Sequence, residues 1–111
     1  MHDHSAQGVE IFRCDFCASP WAEDRPMIEG HRGSLICGQC LRTAFTVLAI
    51  QRQGREPGGW TCTMCIEERT QSGWQSPLRP EATVCLRCVK QSATQMEKDP
   101  DTAWSRPTAD A

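Results

Sequence analysis

At 111 residues, with a formal net charge of −2 and eight cysteines, the chain holds at most one or two small modules, and two units of about fifty residues each bury too little apolar surface to fold on that alone. The acidic balance argues against general binding to nucleic-acid phosphates, which works through an excess of Lys and Arg. The longest apolar-rich run, Ala44–Ile50, is too short to span a bilayer, and the opening MHDHSAQGVEIFRC lacks the apolar core of an export signal.

In chain order, residues 1–9 read as a flexible leader, with His2 and His4 inside it. A first unit is expected over 10–53. It opens with C-D-F-C at 14–17 and continues, after a spacer of nineteen residues, with C-G-Q-C at 37–40. The β-prone S-L-I-C predicts a short strand running into the second pair. Beyond it Leu41, Ala44, Phe45, Leu48 and Ala49 recur at helical spacing. Val47 and Ile50 lie off that stripe, so this helix is apolar on more than one side. Such a helix is expected to be covered twice, by its own cysteine knuckle and by a second module or a partner. Gly54 is its expected stop, and G-R-E-P-G-G, 54–59, reads as a linker.

A second unit is expected over 60–98. Cys14, Cys17, Cys37 and Cys40 map onto Cys62, Cys65, Cys85 and Cys88 with a constant offset of 48. Neighbours agree in type: Phe12 with Trp60, Ile36 with Val84, Leu41 with Val89, Arg42 with Lys90. This is the signature of one supersecondary unit used twice. A-T-V-C predicts a strand, and Val89, Ala93 and Met96 a narrower apolar stripe on a more polar helix. From Asp99 to Ala111 the chain is polar, contains Pro and lacks periodicity, which reads as a disordered tail.

The spacing explains itself if the cysteines hold metal. A C-x-x-C turn presents two thiolates to one ion, and two such turns complete a tetrahedron, so the spacer is constrained in length more than in sequence. Disulfides would allow 105 connectivities and give no reason to place every Cys in a C-x-x-C pair. With no export signal, a reducing cytoplasm is the expected compartment, which also favours metal. Two zinc ions are expected, one on Cys14, Cys17, Cys37 and Cys40 and one on Cys62, Cys65, Cys85 and Cys88. A cross-brace would instead join the first pair to the third and the second to the fourth; the equal spacers favour sequential sites. Zinc binding of this kind supplies on the order of 10 kcal/mol of folding free energy per site. Four thiolates around one Zn²⁺ leave a local excess of negative charge, and Arg13, Arg32, Arg42, Arg87 and Lys90 lie near cysteines in sequence to offset it. All four positions of each site are filled by protein, so catalytic zinc is not expected.

The stretch R-C-D-F-C-A-S-P-W-A-E-D-R-P-M-I-E-G-H-R-G-S-L-I-C-G-Q-C-L-R-T-A-F resembles the four-cysteine zinc-binding domain at the N-terminus of ClpX, the unfoldase of a bacterial protease. Cys14, Phe16, Cys17, Met27, Ile28, Gly30, Gly33, Leu35, Ile36, Cys37, Cys40 and Leu41 occupy the family's places. The second unit keeps the cysteines and their apolar flanks but loses the Phe, the apolar pair and the glycines, as a diverged copy would. The resemblance implies a small α+β, metal-stabilised fold: two tandem treble-clef-like zinc fingers of four cysteines each, every finger a knuckle and short hairpin followed by a helix. It also implies self-association and docking of protein partners. No G-x-x-x-x-G-K-[ST] is present, so the ATPase activity is not implied.

No catalytic constellation is found, and the chain is not expected to be an enzyme. The expected function is that of a cytoplasmic, bacterial, adaptor-like protein-recognition module. Its two units would form a fused pseudo-dimer through the two-faced helix 41–50. The alternatives are a nucleic-acid-binding zinc regulator and a redox-responsive zinc switch. Trp60 is expected in the core. Trp21 and Trp74 read either as partner anchors or as packing over the metal, and Trp104 as a disordered aromatic or a docking element. His31 reads as an exposed loop residue rather than a ligand.

Overall fold

The structure is a computed structural model describing residues 2–3, 11–22, 24–54, 58–100 and 102–108. Its strands are short and all pair antiparallel in twos. In the first unit β1 (His2–Asp3) pairs with β2 (Ile11–Phe12), and β3 (Met27–Glu29) with β4 (Leu35–Cys37). The second unit pairs β5 (Trp60–Thr61) with β6 (Glu68–Arg69), and β7 (Gly73–Gln75) with β8 (Thr83–Cys85). Each second hairpin feeds straight into a helix, α1 (Gly38–Phe45) or α2 (Leu86–Lys98). S-L-I-C and A-T-V-C are therefore strands, as expected, and each unit is a small α+β finger, as the resemblance implied.

The buried stripe of α1 is Leu41, Ala44 and Phe45, and that of α2 is Val89, Ala93 and Met96. Both positions follow from the 3.6-residue period. Beyond Phe45 the first helix widens into a π-helical turn over Thr46–Ile50. There the Thr46 hydroxyl donates to the Arg42 carbonyl at 2.9 Å, in competition with the regular backbone ladder. The turn ends at Arg52, in the left-handed region at φ 54°, and Gly54 at φ 136°.

The two units pack into one core. A Cβ built on Gly38, at the start of α1, would lie 3.3 Å from Met96 Sδ, near the end of α2. At the opposite end Leu48 and Ala49 line a groove with Leu86 and Lys90. The helices therefore run antiparallel against each other. The Phe16 and Trp74 rings, one from each unit, stack with centroids 5.7 Å apart at 27°.

The hairpin tips reach across in both directions. His31 N donates to Met64 O at 2.8 Å, and the Ser76 hydroxyl donates to Phe16 O. Met64 stands 48 residues after Phe16, so the same point of each knuckle receives the other unit's tip.

The constant offset holds at the cysteines but not between them. Ile28 pairs with Ile36, whereas Trp74, not Ser76, pairs with Val84. The second hairpin loop is two residues longer and the stretch before it two residues shorter, which keeps the spacer at nineteen. Trp74 thereby takes the place of Ile28, and Gly73 that of Met27. The glycine is needed: a Cβ at Gly73 would meet the Trp60 ring at 2.5 Å. Trp60 is core, as expected, while its counterpart Phe12 is 44% exposed.

One expectation is corrected. Residues 102–108 are not a disordered tail but lie across α1 and α2. Trp104 Nε1 donates to Gly38 O at 2.8 Å, with the Arg42 guanidinium 5.7 Å from its ring centroid. Arg106 binds both carboxylate oxygens of Glu97 and sits 5.4 Å from the Phe45 ring centroid. The bond from Trp104 to Gly38 joins residues 66 apart in sequence, beyond the reach of periodicity. Of the expected leader, the backbone of 2–3 is paired in β1; residues 1 and 4–9, like 55–57 of the linker, lie outside the described residues.

Candidate metal centres

Each centre is built from a knuckle and a helix start. In the first, C-D-F-C turns after β2, closed by Ala18 N donating to Cys14 O at 2.8 Å; Ile66 N to Cys62 O repeats this in the second. The residue leaving each knuckle is left-handed, Ala18 at φ 64° and Ile66 at φ 62°. Cys37 and Cys85 end their strands and cap α1 and α2, and Cys40 and Cys88 follow in the first turn. The positive end of each helix thus faces the sulfurs and favours thiolate.

A second set of bonds locks knuckle to hairpin. Asp15 N donates to Leu35 O, and Leu35 N donates to Asp15 Oδ2 at 2.7 Å. In the other unit Thr63 N donates to Thr83 O, and Thr83 N to Thr63 Oγ1 at 3.0 Å. A carboxylate and a hydroxyl do the same work at equivalent positions, which hides the equivalence from a reader of residue types.

The sulfurs converge as expected. The four Sγ atoms of Cys14, Cys17, Cys37 and Cys40 lie within 4.8 Å of one another, as do those of Cys62, Cys65, Cys85 and Cys88. The grouping is sequential, not a cross-brace. Cys17 and Cys37 sulfurs are 3.8 Å apart, Cys62 and Cys88 3.8 Å, Cys65 and Cys85 4.0 Å. A tetrahedron with ligands at about 2.3 Å from zinc has edges of about 3.8 Å, so both cages fit Zn²⁺. Backbone N–H groups aim at the sulfurs: Phe16 N and Cys37 N at Cys14 Sγ, both 3.3 Å, Cys40 N at Cys37 Sγ, 3.4 Å, and Cys85 N at Cys62 Sγ, 3.4 Å. Six of the eight cysteines are buried, and Cys17 and Cys65 are half-buried.

So many thiols so close cannot all ionise without a cation. Cys14 is pushed up to about 12 by its hydrogen bond to Cys37, whose thiol is in turn held far down by Cys14 and Cys40. Cys40 is raised strongly, chiefly by Cys14. The second centre repeats the pattern. Cys62 is pushed up to about 11 by Cys85, Cys85 is lowered by Cys62, and Cys88 is raised by Cys62. One helix-capping thiolate collects the protons' hydrogen bonds in each cage. A divalent ion replaces those protons and satisfies all four sulfurs at once; with no site left open it acts as a structural clamp.

The centres differ in their surroundings. Arg69 Nη2 donates to Cys65 Sγ at 3.3 Å and to Glu67 Oε2 at 2.9 Å, and contact with Cys65 raises the guanidinium above its ordinary value. At the first centre Cys17 Sγ lies 3.3 Å from Ser19 Oγ. The offset of 48 places Trp21, 54% exposed, where Arg69 stands. Arg69 was missed by sequence proximity because it reaches back from β6. Of the cations expected to serve, Arg13 donates to Ala18 O, Arg42 to Ser105 O, and Arg87 pairs with Glu67. Arg32 and Lys90 are exposed, and His31 is an exposed turn residue outside both cages.

The fold and the cages define a small protein with two four-cysteine zinc fingers. Residues 12–49 match the family model of the ClpX C4-type zinc finger. The second group of four cysteines, at 62–88, is what a diverged second copy presents. No curated protein and no solved structure matches the chain. Among the described residues no helix is long and apolar enough to cross a membrane.

Proposed function

We propose that this zinc-binding chain is a cytoplasmic, non-catalytic, adaptor-like module for protein recognition, whose two fingers form a pseudo-dimer fused in one polypeptide. One observation carries the reading: the reciprocal seating of each hairpin tip on the other unit's knuckle, His31 N on Met64 O and the Ser76 hydroxyl on Phe16 O. Reciprocity of the same patch is the hallmark of a two-fold interface. A recess at each centre bears the same mark. His31 lies beside Cys65 and Cys88, and Leu78, 72% exposed, beside Cys17 and Cys40. Joining the units frees the outer faces to diverge, and they differ in charge, Ser19 and Gln39 standing opposite Glu67 and Arg87.

The test is the double substitution Phe45→Asp with Leu48→Asp, at 7% and 6% exposure, read by native mass spectrometry and melting. The wild type is expected as a monomer carrying two zinc ions. The variant is expected to melt earlier and to yield zinc more readily to a chelator. Unchanged melting and zinc retention, or a wild-type dimer with four zinc ions, would overturn the pseudo-dimer. Salt-sensitive retention on DNA or RNA would replace protein recognition by nucleic-acid binding.

A further inference from the structure

The offset of 48 relates the two ends of the α1–α2 pair. Gly38 and Arg42 map onto Leu86 and Lys90; Met96 and Glu97 map back onto Leu48 and Ala49. At one end the chain's own segment 102–108 is seated: Trp104 on Gly38 and Arg42, Arg106 on Glu97. The other end is an open groove of about 530 Å³, lined by Leu48, Ala49, Arg52, Gln53, Leu86 and Lys90, with Gln71 and Ser72 at its edge. Nothing among the described residues occupies it.

We propose that this groove docks an extended segment of a partner protein carrying an aromatic side chain and, two residues further on, a carboxylate. The occupied seat shows the mode, and the differences between the seats give the chemistry. Lys90 stands where Arg42 faces the Trp104 ring, so a cation again meets an aromatic face. Leu86 replaces Gly38, so the ring lies on an aliphatic floor instead of bare backbone. Ala49 replaces Glu97, and Arg52 stands beside it, so the charge that holds the second anchor is reversed. Where the chain's own segment has Arg106, two residues after Trp104, the partner has Asp or Glu. Among the described residues no carboxylate lines the groove, and neither Arg52 nor Lys90 is in an ion pair with any of them. An acidic chain that keeps two cations at one groove is complementary to an anionic segment.

The inference rests on the recognition role proposed above. Its probe is a synthetic peptide of residues 102–108, capped at both ends, with Glu in place of Arg106. The native sequence and a Trp104→Ala version of the Glu peptide are the controls. Binding is measured by fluorescence anisotropy and amide chemical shifts on the zinc-loaded chain. The Glu peptide is expected to bind at least roughly tenfold more tightly than either control, shifting the amides of Leu48, Gln53 and Lys90. Arg52→Glu with Lys90→Glu is expected to cost at least roughly tenfold in that affinity and to turn the preference toward the native Arg peptide. Zinc content and melting stay unchanged, since both side chains are exposed. Equal affinity for Glu and Arg peptides, shifts that map elsewhere, or displacement by an oligothymidylate overturns the groove assignment. A natural protein partner held equally by wild type and the charge-reversed variant overturns the groove but leaves the recognition role standing.

Discussion

Removing the Trp74 indole tests whether the two units share one packed face. Trp74 is 7% exposed and stacks on Phe16 at 5.7 Å. An aromatic of its size buries roughly 150–250 Å², which at about 25 cal/mol per Å² corresponds to about 4–6 kcal/mol. Measured Trp→Ala costs in cores fall at about 3–5 kcal/mol, the surroundings relaxing in part. Trp74→Ala is therefore expected to destabilise the zinc-loaded chain by about 3–5 kcal/mol. Both ions should remain bound, because each cage contributes on the order of 10 kcal/mol independently of the interface. The assay is urea unfolding at fixed excess zinc, read by circular dichroism and by Trp60 and Trp104 fluorescence, with zinc counted by native mass spectrometry. The ring contact itself is isolated by a cycle of Phe16→Ala, Trp74→Ala and the double variant. Stacking predicts a coupling of about 0.5–1.5 kcal/mol. If the single effects add to within about 0.5 kcal/mol, as for residues out of contact, the packed face between the fingers is refuted.

Trp104→Ala deletes the hydrogen bond to Gly38 O and the ring under Arg42; about 1–2 kcal/mol should be lost in urea unfolding, with zinc content unchanged. Arg69→Gln removes the cation on Cys65 Sγ, so the second centre should lose roughly tenfold in zinc affinity while the first is unaffected, seen as the order of release to a chromogenic chelator. The thiol shifts set the pH response. In the metal-free fold the raised values of Cys14 and Cys62 stabilise below the ordinary 9.0, a contribution lost as pH rises through about 12 and about 11. Zinc needs the thiolates, so its uptake near neutral pH should release at least about two protons per site, from Cys14 and Cys40 and from Cys62 and Cys88. Affinity should therefore fall as pH is lowered. Calorimetry in buffers of different ionisation enthalpy counts those protons, and a release below about one per site would rule out the tetrathiolate.

The sequence by itself determined the eight ligands and the two strands and helices that follow from them; it favoured their sequential grouping, which the convergence of the sulfurs then decided. Metal geometry makes those features local: a knuckle needs C-x-x-C, and a helix start needs only the residues beside it. The buried stripes of α1 and α2 were legible for the same reason, as was Trp60 in the core. The tertiary structure alone decided the two-residue slip that puts Trp74 opposite Val84. A spacer whose total length is kept conceals compensating changes within it. It alone decided that Asp15 and Thr63 play one part, because different side chains reach the same backbone N–H. Arg69 at Cys65, the hairpin tips crossing between units and Trp104 on Gly38 are likewise tertiary facts. Each joins atoms that periodicity cannot relate, since periodicity reports only which face of an element is apolar and not which distant surface covers it.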